Sequence, residues 1–108
     1  MANSFKNSSI EATTTYQELY AAPISSEVVI LGLAIANKTD NVVSATVQFE
    51  DNSAAATFQL LDAVEIPAHT TLETLAGQKY ILESLDSLNV KAGANSSIDV
   101  VLGVMEKT

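Results

Sequence analysis

Apolar and small residues run unbroken from Val28 to Ala36, between Glu27 and Asn37. At roughly 3.3 Å per residue, a strand over this run would be about 30 Å long. A membrane-spanning helix needs about 20 apolar residues, so the run is too short for one. Four β-branched residues (Val28, Val29, Ile30, Ile35) and the mid-run Gly32 also oppose a helix. Strict alternation puts Val29, Leu31, Leu33 and Ile35 on one face, and Val28, Ile30, Gly32, Ala34 and Ala36 on the other. Neither face carries a charge. Such a strand is either covered on both sides or presents one face to a neighbouring chain.

Polar and apolar positions alternate most cleanly just downstream. Val43, Ala45, Val47 and Phe49 alternate with Ser44, Thr46, Gln48 and Glu50, which predicts a strand with one buried and one wet face. The last strand, Ile98 to Glu106, places Ile98, Val100, Leu102 and Val104 on one side. Its other side is Asp99, Val101, Gly103 and Met105, less polar than a solvated face. Shorter strands are expected in the threonine-rich run from Ile10 to Thr15, from Gln17 to Ala22, closed by Pro23, and from Phe58 to Ile66 after the alanines 54–56. Leu72 to Leu75, Lys79 to Leu82 and Leu88 to Ala92 complete the set. Turn clusters at Lys38–Asn41, Asp51–Ser53, Ala68–Thr70, Gly77-Gln78, Ser84–Ser87 and Gly93–Ser96 separate them.

With no amphipathic helix, this predicts an all-β fold: one β-sandwich or jelly-roll-like domain of about eight short antiparallel strands over residues 9–108. Residues 1–8 are polar apart from Phe5 and are expected as an extended N-terminal arm. Phe5 would anchor it to a neighbour, and its removal would hardly change the melting temperature.

The chain has 108 residues, enough for one modest core, and a formal net charge of −8. Its basic residues are all lysine. Without arginine, and with this acidity, nucleic-acid and anionic-membrane partners are disfavoured. No cysteine means no thiolate zinc site, thiol nucleophile or disulfide framework. The opening residues contain no apolar signal-peptide core. The glycosylation-like triplets at Asn7, Asn37 and Asn95 therefore read as turn composition.

Candidate chemistry is sparse. His69, the single histidine, sits in a predicted corner without a companion nucleophile or ligand set, so a solvent-facing turn histidine is expected. A carboxylate pair for hydrolysis must face one cleft. Glu50 and Asp51 point to opposite sides of a strand, and nothing in the spacing brings Asp62 and Glu65 to Glu73. Oxygen-rich turns at 37–41 and 50–53 lack the alternating pattern of a calcium loop. Phe49, Phe58 and Tyr80 fall in strand patterns and are assigned to the core. Tyr16 and Tyr20, four apart, would share one face of an extended segment. No catalytic, cofactor or metal residue is assigned, and no cofactor is expected.

Several segments together resemble a group of small β-rich virion structural proteins of tailed bacteriophages, marine phages in particular. They are Met-Ala-Asn-Ser-Phe-Lys-Asn at the start, Leu19-Tyr20-Ala21-Ala22-Pro23, and Val28 to Asn37. Ile66-Pro67-Ala68 with Thr70 and Leu72, Gly77-Gln78-Lys79, and Asp99-Val100-Val101 with Glu106 complete the likeness. These are strand and turn patterns, not catalytic motifs. Such proteins commonly carry Gly-Asp before the penultimate strand, where this chain has Leu85-Asp86. The resemblance implies a non-enzymatic virion structural protein. It would be made in the host cytoplasm and seated on the capsid exterior as a decoration or cement protein.

Partners would be further copies of itself, with a trimer preferred by analogy, and the major capsid protein or another virion protein. Contact residues expected from the apolar outer faces are Phe5, Gly32, Ala34, Ala36, Val101 and Met105. The alternatives are a neck, tail or baseplate component and, from another class, a glycan-binding adhesion module exposing Tyr16 or Tyr20. A carboxylate hydrolase stands third.

Overall fold

The computed structural model describes residues 3–74 and 80–107. Nine strands and no helix occur among them: β1 (Asn3–Glu11), β2 (Gln17–Ala21), β3 (Glu27–Asn37), β4 (Val43–Asp51), β5 (Ala56–Ile66), β6 (Thr71–Glu73), β7 (Tyr80–Leu82), β8 (Ser87–Ala92) and β9 (Ile98–Lys107). They pair antiparallel into two sheets. Sheet A runs β1-β9-β3, with β6 and β7 both on the far edge of β3, and sheet B runs β2-β8-β4-β5. Counting β6 and β7 as two pieces of one edge strand gives eight strands that mostly alternate between the sheets. This is jelly-roll order. Gly77-Gln78, the Leu75 end of one expected strand and the Lys79 start of another lie outside the described residues.

The core lies between the sheets. Val28, Ile30, Leu33, Ile35, Val100, Leu102 and Val104 face inward from sheet A, against Leu19, Val43, Val47, Ile66, Leu88 and Val90 from sheet B. β9 follows its expected alternation, and β4 does so except at Thr46, expected wet but buried where its Oγ1 accepts from Ala63 N.

β3 does not. Its pairing with β9 shifts between Ile30 and Gly32, which places a bulge at Leu31. A bulge inserts one residue and switches the phase of every side chain beyond it. Val28, Ile30, Leu33, Ile35 and Asn37 are therefore buried, whereas Val29, Leu31, Gly32, Ala34 and Ala36 take the outer face. β6 pairs with β3 beyond the bulge, at Ala34–Ala36, and β7 before it, at Val28–Ile30.

Residues 3–8, expected as an arm, are the first part of β1, which pairs residue for residue with β9 from Asn3↔Lys107 to Glu11↔Asp99. Their polarity reflects an edge strand with little core beneath it. The threonines expected in a strand form instead the β1–β2 connection. Thr13 Oγ1 bonds the backbone of Thr15, the local competition by which threonine leaves a ladder.

Phe58 and Tyr80 also differ from expectation. Phe49 packs against the core, but Phe58 is 55% and Tyr80 39% exposed. Phe58 lies on edge strand β5, and Tyr80 on the short edge strand β7.

Two buried polar side chains fix the loops. Asn37 donates through Nδ2 to the carbonyls of Asn41 (2.8 Å) and Ile66 (2.9 Å) and accepts from Thr39 N (2.9 Å). It is 2% exposed, so this triplet presents no accessible amide. Asp86 accepts from Asn52 N and Glu83 N, each at 2.9 Å, and ties the β4–β5 turn to the β7–β8 turn. In that same turn Leu85 adopts φ 68°, the left-handed conformation that glycine would take without cost.

Candidate assembly face

The register of sheet A decides which residues share its outer face. One row crosses four strands as Phe5, Met105, Val29 and Ile81. The next contains Asn7, Gly103 and Gly32; then come Ser9, Val101, Ala34 and Glu73; then Glu11, Asp99, Ala36 and Thr71. Leu31 projects at the bulge between the first two rows. Phe5 (75%), Ile81 (56%), Val101 (47%) and Leu31 (42%) are all exposed to water. All six contact residues expected from sequence come together here.

Beside Phe5 the face dips into a hollow over Gly103, bordered by Asn7 and Leu31. A Cβ on Gly32 would meet nothing within 4 Å, and one on Gly103 only Asn7 Oδ1 at 3.6 Å. The face thus carries a projecting aromatic next to a hollow floored by glycine. At its far end, Lys38 bonds Glu11 and, at 3.0 Å, Asp99. These two carboxylates hold the Lys38 ammonium above the usual lysine range. This charged row bounds the apolar area.

Beneath β1, Lys6 Nζ lies 2.8 Å from Glu106 Oε1, and the Tyr20 hydroxyl donates to Glu106 Oε2. Glu106 is only 6% exposed. Hydrogen bonds from Lys6 and Tyr20 hold its carboxyl below the usual carboxylate range, and burial beside it raises Tyr20 well above the ordinary phenol value. This cluster locks the strand that carries Phe5 onto the sandwich.

The outer face of sheet B is different in kind. Ser44, Gln48, Glu50, Gln59, Glu65, Asn89 and Lys91 occupy it, with Glu50 Oε2 accepting from Asn89 Nδ2 at 3.1 Å. The two sheets present opposite chemistries to solvent.

The remaining candidates do not converge. A register shift in β2 separates the tyrosines, so Tyr20 turns inward to Glu106 while Tyr16 stays on the outer side of sheet B. Asp62 and Glu65 belong to sheet B and Glu73 to sheet A. His69 is an exposed turn residue with φ 54°, its Nε2 2.6 Å from Asp40 Oδ1. Among the described residues no three histidine or carboxylate side chains gather as a metal site. Sequence reasoning did not place Val29, Leu31 and Ile81 among the candidates on this outer face. Ile81 had a faint signal in the apolar triplet Tyr80-Ile81-Leu82, but Leu31 had none, because a bulge inside an all-apolar run leaves the pattern unchanged.

No family model matches the chain, and no curated protein does. Solved structures do. The chain is similar to a protein of Bacillus endospore appendages, described as disulfide-linked pili, at 13% identity and TM-score 0.61 over 99% of this chain and 87% of that one. It is similar to a chain of the capsid of Helicobacter pylori bacteriophage KHP30 at 16% identity and TM-score 0.52, covering 98% and 87%. It also matches a chain of infectious bursal disease virus, Gx strain, at 10% identity and TM-score 0.52, covering 98% of this chain and 30% of that one. The likeness is one of fold.

Proposed function

We propose that the protein is a non-enzymatic structural subunit of a phage virion, most specifically a decoration or cement protein seated on the capsid exterior. The observation that carries this reading is the apolar outer face of sheet A, from Phe5 to Ile81, on a chain of net charge −8. Large apolar side chains grouped on one face of a soluble domain mark a contact surface. Copies carrying the same charge repel, so they come together through apolar burial and not through charge. Burying one phenylalanine contributes roughly 1.5–3 kcal/mol, and such a face supplies several groups of that kind. The likeness in fold to a phage capsid chain, over almost all of both chains, supports the placement in a virion.

In this reading the subunit oligomerises, with three copies preferred, through Phe5, Gly32, Ala34, Ala36, Val101 and Met105. The oligomer then seats on the major capsid protein or another virion protein and adds buried surface to the shell. A neck, tail or baseplate position uses the same face in the same way.

A second reading is favoured by the TM-score of 0.61 to the spore-appendage protein, namely a subunit of a filament. This chain contains no cysteine, so a filament built from it relies on non-covalent contacts alone. Averaged density of intact particles separates the readings. Density for this chain repeated over the shell is expected. Its confinement to the tail moves the protein there, and its absence from particles overturns the virion reading.

A further inference from the structure

On the far side of the molecule, sheet B carries a polar groove with one aromatic wall. Tyr16, just before β2, forms the wall, and its loop is held by Thr14 N donating to Asn95 Oδ1 at 3.0 Å. The Tyr16 hydroxyl accepts from Gln59 Nε2 at 3.3 Å, and Lys91 Nζ lies 4.6 Å from the ring centroid. A neighbour from β8 and one from β5 therefore hold the ring, which is still 40% exposed.

The opposite wall is set by a bulge in β5. Ala63 takes φ 49°, and its N–H bonds Thr46 Oγ1 at 3.1 Å instead of continuing the ladder. Bulges re-aim the side chains beside them, and here Asp62 lines the groove. The result is a concave surface combining one aromatic ring with an amide, an ammonium and a carboxylate.

We propose that this groove binds a neutral saccharide. A pyranose has an apolar C–H face and a rim of hydroxyls. The Tyr16 ring suits the first on the face that Lys91 does not cover, being flat, amphipathic and partly immobilised. Asp62 accepts hydrogen bonds from hydroxyls, Lys91 donates them, and Gln59 does both. A few polar groups converging on an otherwise flat contact is the usual make-up of a small-molecule site. Phosphorylated or sulfated sugars fit poorly, because Asp62 and the net charge of −8 oppose a second anion. A nucleotide lacks the arginine that its phosphate prefers. The inference is independent of the assembly reading, since the groove and the apolar face lie on opposite sheets.

The test is a chemical-shift titration of the isotope-labelled protein with glucose, galactose, mannose and N-acetylglucosamine in turn. At least one is expected to give saturable shifts confined to Tyr16, Gln59, Asp62, Ala63 and Lys91, with a millimolar Kd. Tyr16→Ala and Asp62→Asn should each weaken binding by about tenfold. Tyr16→Trp should keep it, and Phe5→Ser, on the other sheet, should leave it unchanged. Should Tyr16→Ala fail to fold, Tyr16→Trp and Asp62→Asn decide. Silence from all four sugars, shifts centred elsewhere, or full binding by Asp62→Asn would overturn the site. Tighter binding of glucose 6-phosphate than of glucose would overturn its neutral specificity.

Discussion

Lys6 on the outer strand β1 and Glu106 on β9 meet at 2.8 Å beneath the strand that carries Phe5. Glu106 is buried, and bonds from Lys6 and Tyr20 depress its pKa. A carboxyl with a depressed folded pKa stabilises the protein above its unfolded value of about 4.3, and this contribution is lost as pH falls through the folded value. The melting temperature should therefore fall on acidification below about pH 4.3, and Glu106→Gln should flatten that fall. At neutral pH this substitution should cost about 1–3 kcal/mol. An unchanged acid limb in Glu106→Gln would remove Glu106 from the account.

Tyr20 gives the mirror-image prediction. Burial first, then Glu106, raises its pKa, so its contribution is present below the unfolded value of about 10 and lost as pH rises beyond it. Tyr20→Phe should lessen the alkaline loss of stability, read from melting curves between neutral and strongly alkaline pH.

Removing residues 1–8 should lower the melting temperature. Sequence alone suggested an arm whose removal would hardly change the melting temperature while impairing assembly or attachment. Residues 3–8 pair with β9, so deletion bares the β9 edge and leaves the buried Glu106 without Lys6. A truncated protein that melts with the full chain would show that β1 contributes little in solution.

The turn before β8 offers a gain of stability. Leu85 holds φ 68°, which costs a leucine roughly 1–2 kcal/mol, and glycine recovers most of this less its own chain entropy. Leu85→Gly should raise stability by about 0.5–1 kcal/mol in urea titration. Asp86→Ala should lower it by about 1–3 kcal/mol, since two backbone N–H groups lose their buried carboxylate. Gly-Asp, the pair usual in the proteins this sequence resembles, is the combination that satisfies both positions.

How far the sequence could be read depended on how each strand is used. β4 and β9 have one buried face and one outer face of different character, so their alternation carried register and orientation together. β3 is apolar on both faces, and a slip of one residue at Leu31 exchanges one apolar set for another. β1 is legible only through its partner, because most of its side chains face water and the pairing with β9 joins opposite ends of the chain. That Gly32, Ala34, Ala36, Val101 and Met105 share an outer face was readable because small and apolar residues sit where a solvated face would carry charge. Of the groove only Tyr16 was readable, as one of two tyrosines that a glycan-binding module would expose. Tyr16, Gln59, Asp62 and Lys91 meet only through loop placement and a bulge, and neither leaves a periodic trace.

Ionic strength separates apolar from charged association. Excluded salts such as sulfate strengthen apolar burial, whereas screening weakens a contact made by opposite charges. Self-association should hold or tighten as sodium sulfate is added, measured by light scattering. Dissociation by moderate salt would mean that the charged row of Glu11, Lys38 and Asp99 dominates the contact.

Sedimentation velocity on the wild type and Ala34→Glu tests the assembly face most directly. Ala34 lies mid-face beside Val101, and a charge buried there without a partner costs several kcal/mol, of order 3–5. The wild type should sediment as an oligomer at micromolar concentration, and Ala34→Glu as a folded monomer with an unchanged circular-dichroism spectrum. A wild type that stays monomeric both in solution and on particles, or an Ala34→Glu variant that assembles as the wild type does, would contradict the account.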